Sequence, residues 1–338
     1  MKPDVTVVIP TYNRAGYLER VLRALERQDV PHGTFDVFVV DDGSNDGTDA
    51  ILSKRYWFDL QWISQPNAGP GAARNAAIER ATGELLLFVD DDVIPAENLV
   101  RLHLEAQREL RSVVIGRMTE PESQRQPLWA QWETRTLHQQ YDKIAAGVFT
   151  PSPRQFYTAN ASVPRDDVRR AGMFDPNFKR AEDVELAYRL ADLGLSFRFL
   201  SDAVVVHDTP RTLSGWLRVA EQYGRYDIVM WRDCGRRHIL DNIAEEFVWY
   251  RRKQVKLLTK LSLGRAPIVG AMRAAAATAI GVCDRFNARR TGLAACSAIF
   301  TVLYLDAAAR ELGGRRAFWG AIDEYMTRPE PEVSPATR

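Results

Sequence analysis

The sequence predicts an α/β protein: a mostly parallel sheet flanked by helices, then a C-terminal region that is helical almost throughout. Three observations predict it. Short apolar runs rich in β-branched residues alternate with stretches of helical spacing as far as Thr209. Two of those runs, Phe35 to Val40 and Leu85 to Val89, deliver carboxylates at their C-terminal ends, where open α/β sheets place ligands. Beyond Pro210 the strand pattern stops. The expected organisation is a sheet domain over 1–209, a helical region over 210–328 and a disordered tail over 329–338.

Val5 to Ile9 is a β-branched run closed by Pro10 and reads as a buried first strand. Thr11, Tyr12, Asn13 and Arg14 form the loop after it. Tyr17, Leu18, Val21, Leu22 and Leu25 then recur at helical spacing. Phe35 to Val40 is the second strand; it ends in Asp41 and Asp42 and a turn-rich loop to Thr48. Gln61 to Ser64 is a short third strand. After the loop Asn67-Ala68-Gly69-Pro70-Gly71, Ala72 to Ala81 reads as a helix with Gly83 as its stop. Leu85 to Val89 is the fourth strand, and it runs into Asp90, Asp91 and Asp92. Three adjacent carboxylates repel one another, so a positive partner is required. A divalent cation suits oxygen ligands.

Ser112 to Arg117 reads as another strand. Glu120 to Thr150, with Trp129, Trp132 and Tyr141, reads as a helix with loops. Phe156 to Val163 is strand-like, and Asp166 to Ala171 is a short helix. Glu182 to Leu193 is a helix with Val184, Ala187, Leu190 and Ala191 on one face and Gly194 as its stop. Phe197 to Leu200 and Ala203 to Val206 are strand-like, the second ending in His207. Strands and helices in alternation argue for parallel pairing through crossover connections.

Composition narrows the function classes. A net charge of +1 over 338 residues gives no electrostatic case for nucleic acid as a partner. Cys234, Cys283 and Cys296 lie far apart, which suggests a reducing compartment and no disulfide framework. The opening MKPDVTVVIP enters a strand at once, so no signal peptide is expected. No unbroken apolar run reaches the roughly 20 residues of a membrane-spanning helix. No G-x-G-x-x-G follows the first strand, which disfavours a dinucleotide site.

Four segments, VVIPTYNR, VVDDGSNDGT, NAGPGAARNAAI and FVDDDVIP, stand in this order and are followed by Glu182-Asp183 and His207. Together they resemble the family-2 inverting glycosyltransferases of the GT-A (Rossmann-like) fold, over Val5 to His207. The resemblance implies metal-dependent, non-processive transfer of one sugar from a nucleoside diphosphate donor, UDP foremost, to an acceptor hydroxyl. Polysaccharide, glycolipid and metabolite glycosylation all fit. Pro10, Thr11 and Tyr12 match the first nucleotide loop. Asp42, the second acid of its pair, would accept the ring N–H of the base. Uracil, thymine and guanine all offer that donor, whereas cytosine N3 is an acceptor. Arg14 and Arg74 are placed near the phosphates. Asp90 and Asp92 form a D-x-D motif with Asp91 between them. The resemblance makes Asp92 the main metal ligand, Asp90 a ribose or metal partner, Asp91 part of the donor site and His207 an additional ligand. The cation would be Mn²⁺ or Mg²⁺, and an imidazole ligand favours Mn²⁺. Asp183 is the implied catalytic base. One base without a carboxylate nucleophile gives a single displacement with inversion. Plainer readings stand beside these: Asp42 as a turn acid, Asp183 as a first-turn acid favoured by the helix dipole, His207 as a structural histidine. Thr158-Ala159-Asn160 stands where the family often has a glycine-rich segment.

In the helical region, Trp216, Val219, Tyr223, Tyr226 and Met230 form an amphipathic stripe. Gln222-Tyr223-Gly224-Arg225-Tyr226 resembles the Q-x-x-R-W motif of processive polysaccharide synthases, with Tyr for Trp. Arg251, Arg252, Lys253, Lys256, Lys260 and Arg265 form a basic run, followed by apolar segments at Ala266 to Cys283 and Gly292 to Ala309. Two readings stay open. The helices cover the sheet domain or join two copies of the chain, or they attach it peripherally to an anionic membrane. The expected location is the cytoplasm, at the inner membrane face on the second reading. Two other functions compete: a polyprenyl-phosphate glycosyltransferase, and a catalytically dead nucleotide-sugar-binding scaffold.

Overall fold

The computed structural model describes residues 2–121, 125–208 and 212–328. The chain divides into two compact units, 1–124 with 137–209 and 125–136 with 210–338. The tail expected over 329–338 and the boundary expected at Thr209 lie outside the described residues.

The first unit is built on β1 (Val5–Thr11), α1 (Ala15–Leu25), β2 (Phe35–Asp41), α2 (Thr48–Leu52), β3 (Asp59–Ser64), α3 (Pro70–Arg80), β4 (Leu85–Val89), β5 (Val93–Pro95), α4 (Leu99–Glu109) and β6 (Val113–Thr119). Then come α5 (Leu128–Ala145), which the division between units crosses, β7 (Asn160–Pro164), α6 (Arg165–Arg170), α7 (Glu182–Asp192) and β8 (Phe197–His207). The eight strands form one sheet in the order β3-β2-β1-β4-β7-β6-β8-β5. Its first half, β3-β2-β1-β4, is all parallel, and β6 also pairs β8 in parallel. The far half adds antiparallel pairs at β4–β7, β6–β7 and β5–β8. The expected α/β sheet is therefore present and parallel pairing predominates.

Alternation of side chains along the strands sorts the core into two layers. Val5, Val7 and Ile9 of β1 pack with Leu18, Val21, Leu22 and Leu25 of α1 on one face. Val8 packs on the other with Phe88 of β4, Ala73 and Ala77 of α3, and Leu186 and Leu190 of α7. Each full burial of such a side chain is worth about 1.5–3 kcal/mol. Gly83 stands three residues past α3 rather than at its cap. A Cβ there would lie 2.5 Å from the Thr6 backbone nitrogen, so the approach to β1 demands glycine.

Two expectations need correction. The strand expected over Phe156 to Val163 begins only at Asn160. A 3-10 turn at Pro153–Gln155 precedes it, started by a capping box between Ser152 and Gln155. The three residues of β5 were not anticipated; they pair with the end of β8. Asn160 itself has an internal task. Its Nδ2 donates to the carbonyls of Arg117 (3.0 Å) and Ala203 (2.9 Å), and its Oδ1 lies 2.9 Å from Nε2 of buried His103. Burial pushes the His103 ring down to about 4, so it is neutral. The departure at Thr158-Ala159-Asn160 therefore serves the sheet.

The second unit holds α8 (Leu213–Asp233), α9 (His238–Glu245), α10 (Lys253–Ser262), α11 (Ala266–Arg285), α12 (Arg289–Glu311) and α13 (Arg315–Thr327). Fully buried Trp216 centres its core, with the rings of Trp132 and Phe300 each 5.3 Å away. The Gln222–Tyr226 motif is explained by packing. A Cβ on Gly224 would lie 2.0 Å from the Tyr304 carbonyl oxygen, so α8 and α12 cross through that glycine. Arg225 pairs with Glu311 of α12 at 3.4 Å. By length and composition α11 and α12 are each apolar enough to cross a membrane, unlike the reading from unbroken runs. That reading stopped at Arg273, whose charge is met by Glu221 of α8 at 2.9 Å.

Candidate active site

Thr11, Asp42 and Asp90 to Asp92 gather because β2, β1 and β4 are adjacent and parallel, so their C-terminal ends share one edge. His207 arrives by another route. The antiparallel pair β5–β8 sets it opposite Val93, one residue past the acids. Its Nε2 lies 3.6 Å from Asp92 Oδ2. Tyr12 is half exposed beside Thr11, and Pro10 ends the buried run of β1.

The positive charge facing the acids comes from two arginines. Arg14, on the loop after β1, donates to Asp91 Oδ1 at 3.1 Å and to Asp92. Thr11 Oγ1 donates to Asp91 Oδ2 at 2.8 Å. Arg74, on α3, donates to Asp90 Oδ1 at 2.7 Å and to Glu182 Oε1 at 3.1 Å. It lies over the Phe174 ring at 5.6 Å and is only 4% exposed, with no hydrogen-bond partner for its Nε. Asn75 fixes the neighbouring loop by donating to the Phe174 carbonyl (2.8 Å) and accepting its N–H (2.9 Å).

These surroundings split the acids. Burial pushes the Asp91 carboxyl up to about 6 despite Arg14 and Thr11. Burial acts on Asp92 in the same sense, but His207 and Arg14 outweigh it and hold that carboxyl below its ordinary value. Asp183, in the first turn of α7, is pushed up to about 7 by removal from water and by the charge of Glu182. Its Oδ1 accepts the Val184 N–H at 2.8 Å. Ala181, the residue before α7, is held in the left-handed region at φ 59°, which costs a residue with a Cβ about 1–2 kcal/mol. Such strain is found where surroundings fix a geometry that matters.

Asp42 binds its own loop. Its carboxylate accepts Gln65 Nε2 (2.8 Å), Ala68 N–H (2.9 Å) and Gly69 N–H (2.8 Å). It therefore shapes the Asn67–Gly69 turn that leads into α3. Three of its roughly four acceptor positions are filled. Sequence reasoning placed Arg14 and Arg74 near phosphates and missed their carboxylate partners. It also missed Glu182 as a link and Ala181 as a strained hinge. The only signal was the coincidence of two arginines with an excess of acids.

The model of the family described as glycosyl transferase family 2 matches residues 6–167. This segment belongs to glycosyl transferase family 2. Among relatives of the chain, the pre-mycofactocin glycosyltransferase of Mycobacterium tuberculosis is 31% identical over 229 residues, covering 65% of this chain and 46% of the relative. The chain thus spans about half the length of that relative. Glycosyltransferase AglE of Haloferax volcanii is 28% identical over 235 residues, covering 68% and 74%. Among solved structures, the mannosyltransferase PcManGT of Pyrobaculum calidifontis, in complex with GDP-Man and Mn²⁺, superposes with a TM-score of 0.61 at 21% identity, covering 93% of this chain and 88% of that one. TarS 1-349 of S. aureus in complex with UDP-GlcNAc gives 0.52 at 20% identity, covering 91% and 92%. These likenesses identify the fold as GT-A.

Proposed function

We propose that this glycosyltransferase moves one sugar from a nucleoside diphosphate donor to an acceptor hydroxyl, with inversion and without processive extension. The observation that carries the reading is the chain of contacts Asp90–Arg74–Glu182, which ties the acids of β4 to the turn bearing Asp183. A base that acts at neutral pH needs a pKa near 7, and Asp183 sits there. It takes the proton from the acceptor hydroxyl as that oxygen attacks the anomeric carbon. Arg14, 41% exposed, can exchange Asp91 and Asp92 for the donor diphosphate, since charge-assisted bonds to phosphate are of similar strength.

Asp42, Thr11, Tyr12 and Pro10 form the nucleotide end in this reading, and the last acceptor position of Asp42 takes the ring N–H of the base. UDP is the donor tested first. GDP and dTDP present the same N–H.

A divalent cation fits the donor set. Among the described residues no group of three or more His, Cys, Asp and Glu stands ready to enclose a metal. Asp92 and His207 do stand together. Mg²⁺ and Mn²⁺ sites of this kind use one or two side chains and complete the shell with phosphate oxygens and water. Asp92 and His207 would hold the ion, with Asp90 kept toward the ribose by Arg74. When bound, the ion neutralises charge on the departing diphosphate.

A thermal-shift panel of UDP, GDP and dTDP sugars, each with Mn²⁺, Mg²⁺ or EDTA, tests the donor and the metal together. A stabilising donor whose effect vanishes in EDTA supports the reading. No shift with any donor and cation, together with no donor hydrolysis, removes it in favour of a protein without this activity.

A further inference from the structure

The residues from Phe247 to Leu305 include ten arginines and lysines and a single acid, Asp284, in a chain whose net charge is only +1. The same stretch concentrates exposed apolar side chains. Phe286 is 73% and Trp249 70% exposed, and Leu257, Leu261, Ile268 and Val282 are exposed as well. Along α11 the exposure follows a face. Ile268, Ala271, Ala275, Ala279, Val282 and Phe286, at steps of three and four, are exposed, whereas Val269, Ile280 and Cys283, each one residue further round the helix, are buried. Only 17% of the apolar window of α11 is buried, against 61% for α12. The charges interrupting α11 are answered from within the unit, Arg273 by Glu221 and Asp284 by Arg125. No charged side chain lies on the exposed face between Ala266 and Cys283.

We propose that this face of α10 and α11 docks on the surface of an anionic lipid bilayer, with the apolar side chains of α11 at the boundary between headgroups and acyl chains. Charge selects the occupant. The apolar face is bracketed by Lys260 and Arg265 at one end and by Arg285, Arg289 and Arg290 at the other. A second copy of the chain, packed parallel or antiparallel along α11, would set basic end against basic end in either orientation. Anionic headgroups neutralise both ends at once. On α10, Leu257 and Leu261 are exposed alongside Lys253 and Lys260, the mixture of apolar and cationic side chains that lies in a membrane interface.

The test is flotation of the full chain with vesicles of phosphatidylcholine alone and of phosphatidylcholine with phosphatidylglycerol. Binding is expected only to the anionic vesicles and to weaken as salt is raised. The double variant Lys253→Glu, Lys260→Glu should lower partition at least about tenfold, because each basic residue at the surface contributes on the order of a fivefold change. Val282→Asp with Phe286→Asp should abolish binding through the apolar face. Both pairs of positions are exposed, so folding is checked by an unchanged melting temperature. Absence of binding to anionic vesicles overturns the proposal. So does a concentration-dependent dimer in size-exclusion chromatography that the aspartate pair dissolves, because that assigns the face to a second copy. The readout is partition and not turnover, so it stands or falls separately from the donor chemistry.

Discussion

The two ends of the acid run are held by arginines of opposite kinds. At one end Arg14, on a loop and 41% exposed, meets Asp91 and Asp92 beside His207. At the other, Arg74 is on a helix, 4% exposed, and gripped between Asp90 and Glu182. Ion pairs near water gain little, because solvent screens them and holding both side chains in one geometry costs entropy. A buried arginine between two carboxylates cannot let go without leaving charge uncompensated. The difference suggests a division of labour: Arg14 is free to change partners when a donor arrives, and Arg74 is scaffold for the turn that carries Asp183.

The sharpest break of that comparison lies in the acids themselves. Asp183→Asn should lower transfer by about 10²–10⁴-fold, the range of general-base contributions, while the donor-induced thermal shift persists. Asp92→Asn should lose the cation-dependent shift and transfer together, because both rest on the ion it would hold with His207. Transfer near the wild-type rate in Asp183→Asn would remove the base assignment. The wild-type rate should rise with pH through about 7 as Asp183 loses its proton. The same shift has a stability consequence of definite sign. The folded chain holds the Asp183 proton up to about 7, whereas the unfolded carboxyl releases it near 3.9. Between those values the folded state binds more protons, so this residue makes stability fall as pH rises. Asp183→Asn should therefore melt higher than wild type at pH 8 and match it at pH 3, as calorimetry at both pH values would show.

The arginines come next in size. Arg74→Met should cost about 3–5 kcal/mol, because buried Glu182 is left without its partner and Asp90, 33% exposed, loses its own. Arg14→Met should cost less, because Arg14 is 41% exposed, but more than a surface ion pair, because it leaves Asp91 and Asp92, each 8% exposed, without their cation. Urea unfolding of the pair measures both, and equal losses would erase the distinction between a mobile and a fixed arginine. Transfer should separate them further: Arg14→Met should weaken donor binding, whereas Arg74→Met should disturb the pH profile through Asp183.

Much of this could be read from the chain in advance, for a physical reason. Strands β1, β2 and β4 are mostly apolar runs because both faces are buried, and each run ends where its acid or hydroxyl emerges. That placed Thr11, Asp42 and Asp90 to Asp92 on one edge. What the chain concealed were contacts made across distance. Arg74 and Glu182 are separated by 108 residues. The short β5, which brings His207 to Asp92, is too brief to show a period. The triple aspartate demanded positive charge, and the inference of a cation overlooked that Arg14 and Arg74 already supply part of it. Gln222–Tyr226 misled in the other direction, since its glycine answers to a helix crossing and its arginine to Glu311.

The smallest effect concerns how firmly the fixed end is fixed. Ala181 adopts φ 59° immediately before Glu182 and Asp183, with no side chain capping α7. Ala181→Gly removes the clash of Cβ with the backbone but gives the unfolded chain more freedom, so the two terms oppose and the net change should stay within about 1 kcal/mol. Ala181→Val, which keeps a Cβ and adds branching, should destabilise by more than that. If the turn only connects α7 to the loop before it, Ala181→Gly should transfer sugar at the wild-type rate. If its stiffness aims Asp183, the glycine variant should lose a few-fold in kcat with the donor KM unchanged, because a base slightly out of line fails in the transition state and not in binding. That split between kcat and KM should appear in Ala181→Gly and be absent from Arg14→Met, where the donor KM moves instead.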